Sequence, residues 1–129
     1  MNLDNIHAIG IDAIEVKRIE KVFVKFGNRF LNKVFTENEI QLCRGRVQEI
    51  AGRFSAKEAA MKALGTGVIG INWKEIEILA NKRGKPTIHF YGKAQKRAQL
   101  MQLEAVDISI THLEHIAISI VVGISKKEN

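Results

Sequence analysis

The longest helical pattern of the chain runs from about residue 47 to residue 64 and constrains the fold more than any other feature. At roughly 100° per residue, Val47, Ala51, Phe54 and Met61 fall on one side of this predicted helix. The glycine-rich run at residues 65–67 follows it and is typical of a helix end. The apolar side of so long a helix must pack against other elements.

Shorter patterns around this helix predict both helices and strands. Helical spacing of apolar residues predicts helices over residues 14–26 and 93–103, and Thr36 with Glu39 forms a capping box at a further helix start. Apolar or alternating runs predict strands over residues 6–12, 76–80, 87–90, 106–111 and 116–122. We therefore predict a single α+β domain over residues 1–129, with helices packed on a mainly antiparallel sheet.

The composition of the 129 residues excludes several classes of protein. Apolar residues make up 46% and charged residues 26%, which is typical of a globular chain. No apolar run approaches the roughly 20 residues that cross a bilayer, and residues 1–5 lack the start of a secretory signal. The single cysteine, Cys43, fits a reducing compartment. We expect a cytoplasmic protein with no membrane partner.

The formal net charge of +6 predicts an anionic partner but does not identify it. Nucleic acid, an acidic protein and a phosphorylated small molecule all carry suitable charge. The basic residues are spread along the chain and are not interleaved with aromatic residues, as they are in single-strand binding surfaces. This distribution argues against nucleic acid.

Glu58 falls roughly 20° from the centre of the apolar side of the long predicted helix. An unpaired buried carboxylate costs several kcal/mol, so this position needs an explanation. Glu58 could form a surface ion pair with Lys62, or a capping box with Ser55 if the helix began there. Glu58 could also be a metal ligand or a general base. The pattern alone leaves all three interpretations open.

Asp12 gives weight to the third interpretation. It closes the first predicted strand, and its position alone favours a role as N-cap of the helix that begins near Ile14. Asp12 and Glu58 together offer two hard oxygen ligands of the kind that Mg²⁺ binds beside substrate phosphates. Lys57, Lys62 and Arg53 lie on the same predicted helix as Glu58 and could contact those phosphates.

Several motifs of the chain resemble one known family. They are Ile-Gly-Ile-Asp at residues 9–12, Phe35-Thr36 with Glu39, and Arg-Phe-Ser-Ala-Lys-Glu-Ala-Ala at residues 53–60 with Lys62, Gly65 and Gly67 after it. Gly84-Lys85-Pro86 and a late Ser-Ile-Thr-His run at residues 109–112 continue the match. In this order and at this length, the chain resembles the bacterial holo-[acyl-carrier-protein] synthases, a family of 4'-phosphopantetheinyl transferases.

The resemblance implies a fold, a reaction and a metal. The fold would be that of the phosphopantetheinyl transferases. The reaction would move 4'-phosphopantetheine from coenzyme A to a serine of apo acyl carrier protein, in fatty acid biosynthesis, and release 3',5'-ADP. Asp12 and Glu58 would bind Mg²⁺, with Mn²⁺ as an alternative, and Lys62 would lie against the pyrophosphate. These three residues are the expected catalytic group.

The resemblance also implies binding residues and an assembly. The expected coenzyme A contacts, besides Lys62, are Arg53, Lys57, Gly65, Gly67, Gly84, Lys85, Pro86 and His112. The expected contacts with the acidic acyl carrier protein are Arg18, Lys21, Val22 and Lys25. The family is typically a homotrimer with active sites between subunits, so Asp12 and Glu58 could come from different chains.

Two other functions remain open from the residues alone. One is a different metal-dependent enzyme for phosphorylated substrates, such as a small phosphohydrolase. The other is a binding module, for coenzyme A or for nucleic acid, without turnover. Release of free phosphopantetheine in the absence of an acceptor would indicate the first, and binding without turnover would indicate the second.

Overall fold

The computed structural model describes residues 6–67 and 70–125, so residues 1–5, which entered the signal-sequence argument, lie outside the described residues. The helices are α1 (Val16–Phe26), α2 (Asn28–Val34), α3 (Glu37–Cys43), α4 (Val47–Leu64) and α5 (Gly92–Leu100), with a 3₁₀ turn at Trp73–Glu75. The strands are β1 (Ile6–Glu15), β2 (Ile76–Ala80), β3 (Pro86–Phe90), β4 (Leu103–His112) and β5 (Ile116–Ser125). This arrangement confirms the predicted α+β class.

The strands form two antiparallel sheets. The larger sheet has the order β1-β5-β4, and the smaller one is the β2–β3 hairpin. In the larger sheet Asp12 of β1 lies opposite Ser119 of β5, and Ser119 lies opposite Ile110 of β4. The predicted pairing of the last two strands through a turn near residues 112–115 is confirmed.

Helix α4 lies at the centre of the molecule and packs against β1 and β5. Twelve of its eighteen residues are buried, on several sides of the helix. The prediction of a single apolar side was therefore too narrow. Alanines at residues 56, 59, 60 and 63 are all buried and allow neighbouring backbones to come close.

Among the described residues, the core forms two clusters, one at each half of this helix. One joins the second half of α4 to the β2–β3 hairpin, α5 and the inner face of the sheet. The other joins the first half of α4 to α1, α2 and α3. No helix in the described parts of the chain combines the length and apolar character required to cross a bilayer.

Several element boundaries differ from the sequence predictions, and β4 and β5 are each longer than predicted. Strand β1 continues through Asp12 to Glu15, so α1 begins two residues later than predicted. Helix α2 was not predicted. Its start at Asn28 follows Gly27 and has no side-chain cap, so the usual start signal is missing. Helix α5 begins at Gly92 and ends at Leu100, before the predicted residue 103.

Candidate active site

Asp12 and Glu58 meet where β1 packs on α4. The alternation of β1 turns Gly10 and Asp12 toward the helix. A Cβ atom on Gly10 would lie 1.9 Å from the backbone oxygen of Ala59, so this close approach requires glycine. The approach brings the Asp12 and Glu58 carboxyl groups near enough to share a hydrogen bond within a single chain. The expectation that the two residues could come from different chains is therefore wrong.

The electrostatics of this pair favour a cation or a shared proton. Burial raises the pKa of Glu58 above its ordinary value, and the charge and hydrogen bond of Asp12 raise it further. The positive charges of Lys62 and Arg18 oppose this rise. Two neighbouring carboxylates repel each other when both are ionised, and a bound cation or proton relieves that repulsion.

Lys62 completes the cluster around Asp12. Its Nζ lies 3.2 Å from Asp12 Oδ1 and donates a hydrogen bond to the backbone oxygen of Ile11 at 3.0 Å. Glu58 is half-buried beside Asp12, so the simple surface pair of Glu58 with Lys62 does not describe it. Lys62 keeps most of its side chain in solvent and can reach an anionic ligand there.

The other structural interpretations are contradicted. Helix α4 begins at Val47, and the Ser55 hydroxyl inside it donates to the backbone oxygen of Gly52 at 3.0 Å, so Ser55 and Glu58 do not form a capping box. Asp12 lies inside β1, and the N-cap of α1 is Glu15. The interpretation of the two carboxylates as metal ligands or a general base stays a prediction.

The donor set fits a magnesium ion that shares its coordination with a substrate. Mg²⁺ commonly binds one or two protein carboxylates and completes its octahedron with waters and substrate phosphate oxygens. Asp12 and Glu58 supply two such carboxylates, and within the described residues no cluster of three or more His, Cys, Asp or Glu side chains is arranged for a metal. An ion held here would depend on ligand oxygens from a phosphate.

A second group of predicted residues lines a cavity of about 150 Å³ on another side of α4, which we call the Arg53 cavity. Its lining comprises Gln48, Glu49, Gly52, Arg53, Gly84, Pro86, Ile110 and His112. Lys85 of the same turn is exposed and pairs with Asp107 at 2.7 Å. Arg53 and Glu58 are five residues apart, so they point about 140° away from each other around the helix. The cavity and the carboxylate pair therefore face different sides of one chain.

Lys57 was predicted to contact coenzyme A, but its side chain points into the core. Its side chain is completely buried, and Nζ lies 2.7 Å from Oε1 of the equally buried Glu39. The same Nζ donates to the backbone oxygens of Trp73 and Ile76 and lies over the ring of Phe35. This placement contradicts direct contact of Lys57 with a ligand. Through these contacts Lys57 instead connects α4 to α3 and β2.

Gly65 and Gly67 lie beyond the carboxyl end of α4. Gly65 has φ 71° and ψ 20°, a left-handed conformation that ends the helix as predicted. Nε of Arg97, on α5, donates to the backbone oxygen of Leu64 at 2.8 Å. Twelve residues of helix separate Arg53 from Gly65, which is about 18 Å along the axis. Within one chain, Gly65 and Gly67 therefore lie far from the Arg53 cavity.

The exposed side of α1 is strongly cationic. Lys17, Lys21 and Lys25 line an open groove of about 420 Å³ together with Glu20 and Val24. Val22 lies in a neighbouring groove formed with α2, lined also by Phe26, Arg29, Phe30 and Lys33. All four predicted carrier-protein residues lie on α1, and the charge of Arg18 also reaches Glu58.

The sequence profile of the 4'-phosphopantetheinyl transferase superfamily (ACPS) matches residues 8–121. The chain belongs to this superfamily. A holo-[acyl-carrier-protein] synthase of Halothermothrix orenii is 41% identical over 121 residues, which cover 92% of this chain and 97% of the relative. One of Maridesulfovibrio salexigens is 44% identical over 117 residues and covers 88% of this chain and 94% of the relative.

A solved structure of the same superfamily has a closely similar fold. The crystal structure of Helicobacter pylori holo-[acyl-carrier-protein] synthase in complex with coenzyme A superimposes with a TM-score of 0.82 at 32% identity. The match covers 89% of this chain and 98% of the Helicobacter pylori chain. The phosphopantetheinyl transferase fold predicted from the sequence is therefore confirmed.

Two residues of this phosphopantetheinyl transferase were missed by the sequence argument. Glu49 lines the Arg53 cavity, and Glu39 neutralises Lys57. The spacing of Glu49 four residues before Arg53 is a signal for an ion pair on a helix and could have drawn attention to it. Glu39 was recognised only as a capping residue, and its contact with Lys57 has no local signature.

Proposed function

We propose that this phosphopantetheinyl transferase is a holo-[acyl-carrier-protein] synthase, which moves 4'-phosphopantetheine from coenzyme A to a serine of apo acyl carrier protein. The observation that carries the proposal is the Asp12–Glu58 carboxylate pair with Lys62 beside it. It is supported by relatives with the name holo-[acyl-carrier-protein] synthase and by the coenzyme A complex of the Helicobacter pylori protein.

In the proposed reaction the serine oxygen of the carrier protein attacks the β-phosphorus of coenzyme A. A new oxygen–phosphorus bond forms, and the bond to the α-phosphate oxygen breaks to release 3',5'-ADP. The serine hydroxyl needs a base because it is a weak nucleophile at its own pKa. Glu58 is our candidate to accept this proton, either directly or through a water bound to the metal.

The second requirement of the reaction is that the negative charge on the pyrophosphate is neutralised. Mg²⁺, or Mn²⁺, held by Asp12 and Glu58 would neutralise the phosphoryl oxygens when bound. Lys62 would add a positive charge from its exposed side chain, and its amine could protonate the departing phosphate. Asp12 keeps Lys62 beside the pair through their 3.2 Å contact.

We propose that the Arg53 cavity binds the nucleotide part of coenzyme A, with Arg53, His112 and the Gly84–Pro86 turn around a phosphate. The cavity and the carboxylate pair face different sides of α4 in one chain. A ligand that touches both groups is easier to place between two chains. This supports a homotrimer with active sites at its subunit interfaces.

The cationic side of α1 is the proposed docking surface for the acidic carrier protein. Lys21 and Lys25 lie on the open groove, and Val22 supplies apolar area beside it. Arg18 would stand between this surface and the carboxylate pair because its charge reaches Glu58. A cytoplasmic location is consistent with the single, buried free thiol of Cys43.

The test is the intact mass of an apo acyl carrier protein after incubation with this protein, coenzyme A and Mg²⁺. We expect a gain of one phosphopantetheinyl group, which EDTA abolishes and which Glu58→Gln slows by at least about 100-fold. Glu104→Gln removes a carboxylate from an exposed position on β4 and serves as the matched control.

Three outcomes would contradict the proposed reaction or the role of Glu58 in it. No mass gain with several apo carrier proteins, from a folded sample, would indicate a binding module. Free phosphopantetheine without any acceptor would indicate a phosphohydrolase. Wild-type turnover by Glu58→Gln at saturating Mg²⁺ would remove Glu58 from the mechanism.

A further inference from the structure

The proposed nucleotide cavity contains a carboxylate among its cationic groups. Glu49 lies in the first turn of α4, and its Oε2 accepts a hydrogen bond from Nη1 of Arg53 at 2.8 Å. Its other oxygen, Oε1, lies 3.9 Å from Nε2 of His112. The Glu49 carboxylate thus lies between the two groups best suited to hold a phosphate.

Arg53 does not depend on Glu49 for its position. Its Nε donates to the backbone oxygen of Ile78 at 3.2 Å, and only 8% of its side chain is exposed. Glu49 is far more accessible, with 32% of its side chain in solvent. Burial and the contact with Ile78 would therefore keep the guanidinium in place if the charge of Glu49 were removed.

A phosphate that enters this cavity meets the Glu49 carboxylate as a competitor. Both groups only accept hydrogen bonds when ionised, so they need the same donors on Arg53 and His112. They also repel each other because both are negative. Gly52 and Gly84 line the same space without side chains, so they add no cationic group that could bind the phosphate and the carboxylate together.

We propose that Glu49 is a competing anion that weakens binding of the coenzyme A nucleotide and of its product, 3',5'-ADP. This inference rests on the proposed function, because it takes the nucleotide to be the cavity's ligand. Weaker product binding would speed release of 3',5'-ADP after each transfer. Glu49 would then adjust affinity and turnover without touching the reacting atoms.

A purely structural role of Glu49 makes a different prediction. Glu49 could merely complement the positive amino end of α4 and pair with Arg53 at the i,i+4 spacing. Its removal would then lower the thermal stability slightly, and nucleotide affinity would stay the same or fall. A rise in nucleotide affinity when the Glu49 carboxylate is removed would therefore distinguish the competing anion from a purely structural residue.

The experiment is calorimetric titration of the full-length wild type, Glu49→Gln and Glu104→Gln with 3',5'-ADP. Gln keeps an oxygen that can accept from Arg53 while it removes the charge. We expect Glu49→Gln to bind 3',5'-ADP at least about fivefold more tightly at low salt, with a smaller gain at high salt because salt screens the repulsion. Glu104 lies on β4 six residues before Ile110 of the cavity, about 20 Å along the strand, so its variant should bind like the wild type.

Steady-state kinetics give a second measurement. Glu49→Gln should lower the KM for coenzyme A and strengthen product inhibition by 3',5'-ADP, and the KM for the carrier protein should stay unchanged. Unchanged or weaker 3',5'-ADP binding by a folded Glu49→Gln protein would overturn this inference and leave the proposed function intact. No 3',5'-ADP binding by the wild type would overturn the proposed function and this inference with it.

Discussion

Lys57 and Glu58 are neighbours in the sequence and have opposite surroundings. Burial lowers the pKa of Lys57, and the nearby Glu39 opposes that shift by favouring the charged amine. The ion pair is shielded from water and hydrogen-bonded on both sides, since Glu39 also accepts from the backbone nitrogen of Ile78. Loss of one partner of such a pair leaves the other as an unpaired buried charge.

We therefore predict that Lys57→Met lowers the free energy of unfolding by about 3–5 kcal/mol. Lys62→Met is the control, since that lysine is mostly exposed and its loss should cost less than about 1 kcal/mol. Urea unfolding followed by circular dichroism measures both. Similar small losses in the two variants would contradict a buried pair at Lys57.

Lys21 offers the sharpest test of carrier-protein docking. Arg18 is less suitable because its charge also acts on Glu58. We predict that Lys21→Glu raises the KM for apo acyl carrier protein about tenfold at low salt, because it reverses charge on the surface that attracts an acidic partner. The KM for coenzyme A should change less than about twofold.

The control for Lys21 is Lys96→Glu, which makes the same charge change at an exposed position on α5. Both variants have the same net charge, so a general charge effect would appear in both. Equal losses toward carrier protein and coenzyme A in Lys21→Glu would place the docking surface elsewhere.

The contact of β1 with α4 is the element-scale feature on which the site depends. Gly10 lets the strand approach the helix backbone at Ala59 and Ala63, and Asp12 follows two residues later on the same face. A methyl group on Gly10 would have to displace backbone atoms on both elements. The clash would separate Asp12 from Glu58 as well as loosen the core.

We predict that Gly10→Ala destabilises the protein by about 3 kcal/mol or more and lowers transfer activity in the fraction that stays folded. Gly52→Ala is the control, because its Cβ would meet only a side-chain methyl of Ile110 at 3.2 Å. That change should shift stability by less than about 1 kcal/mol. Chemical denaturation measures the free energy of unfolding of both variants. Equal losses of stability in Gly10→Ala and Gly52→Ala would mean that the β1–α4 contact is not tight.

Local signals predicted most elements well, for reasons visible in particular residues. The Thr36 hydroxyl accepts from the Glu39 backbone nitrogen, and the Glu39 carboxylate accepts from Thr36, so the predicted capping box exists at α3. Helix α4 has the predicted bounds because Gly65 can adopt the left-handed conformation that ends it. Helix α2 escaped prediction because seven residues without a capping side chain leave little periodic pattern.

At the scale of the whole molecule, the outer face of the larger sheet bears on assembly. Ile9 and Ile11 on β1 are 63% and 58% exposed, which is unusual for large apolar side chains on a sheet. This face is our candidate for the trimer contact, since burial of such area favours association.

We predict a particle of about 43 kDa by light scattering, three times the chain mass of 14.5 kDa. Ile9→Asp should give a single chain and reduce transfer, because a charge on the apolar face opposes association. Leu100→Asp, at an even more exposed apolar position on α5, should leave the assembly unchanged. A wild-type monomer with full activity would contradict the trimer and the shared site.

The sequence alone determined the order of most elements and the α+β class, because capping and periodicity are local properties. It named Asp12, Glu58 and Arg53 as site residues through their motifs, but it missed Glu49 and misplaced Lys57. The tertiary structure decided which side chains meet. Asp12 and Glu58 come together from positions 46 residues apart, Lys57 turns inward to Glu39, and Arg53 faces a cavity with Glu49. Such contacts depend on how β1, α3 and the β2–β3 hairpin pack around α4, and local periodicity does not encode that packing.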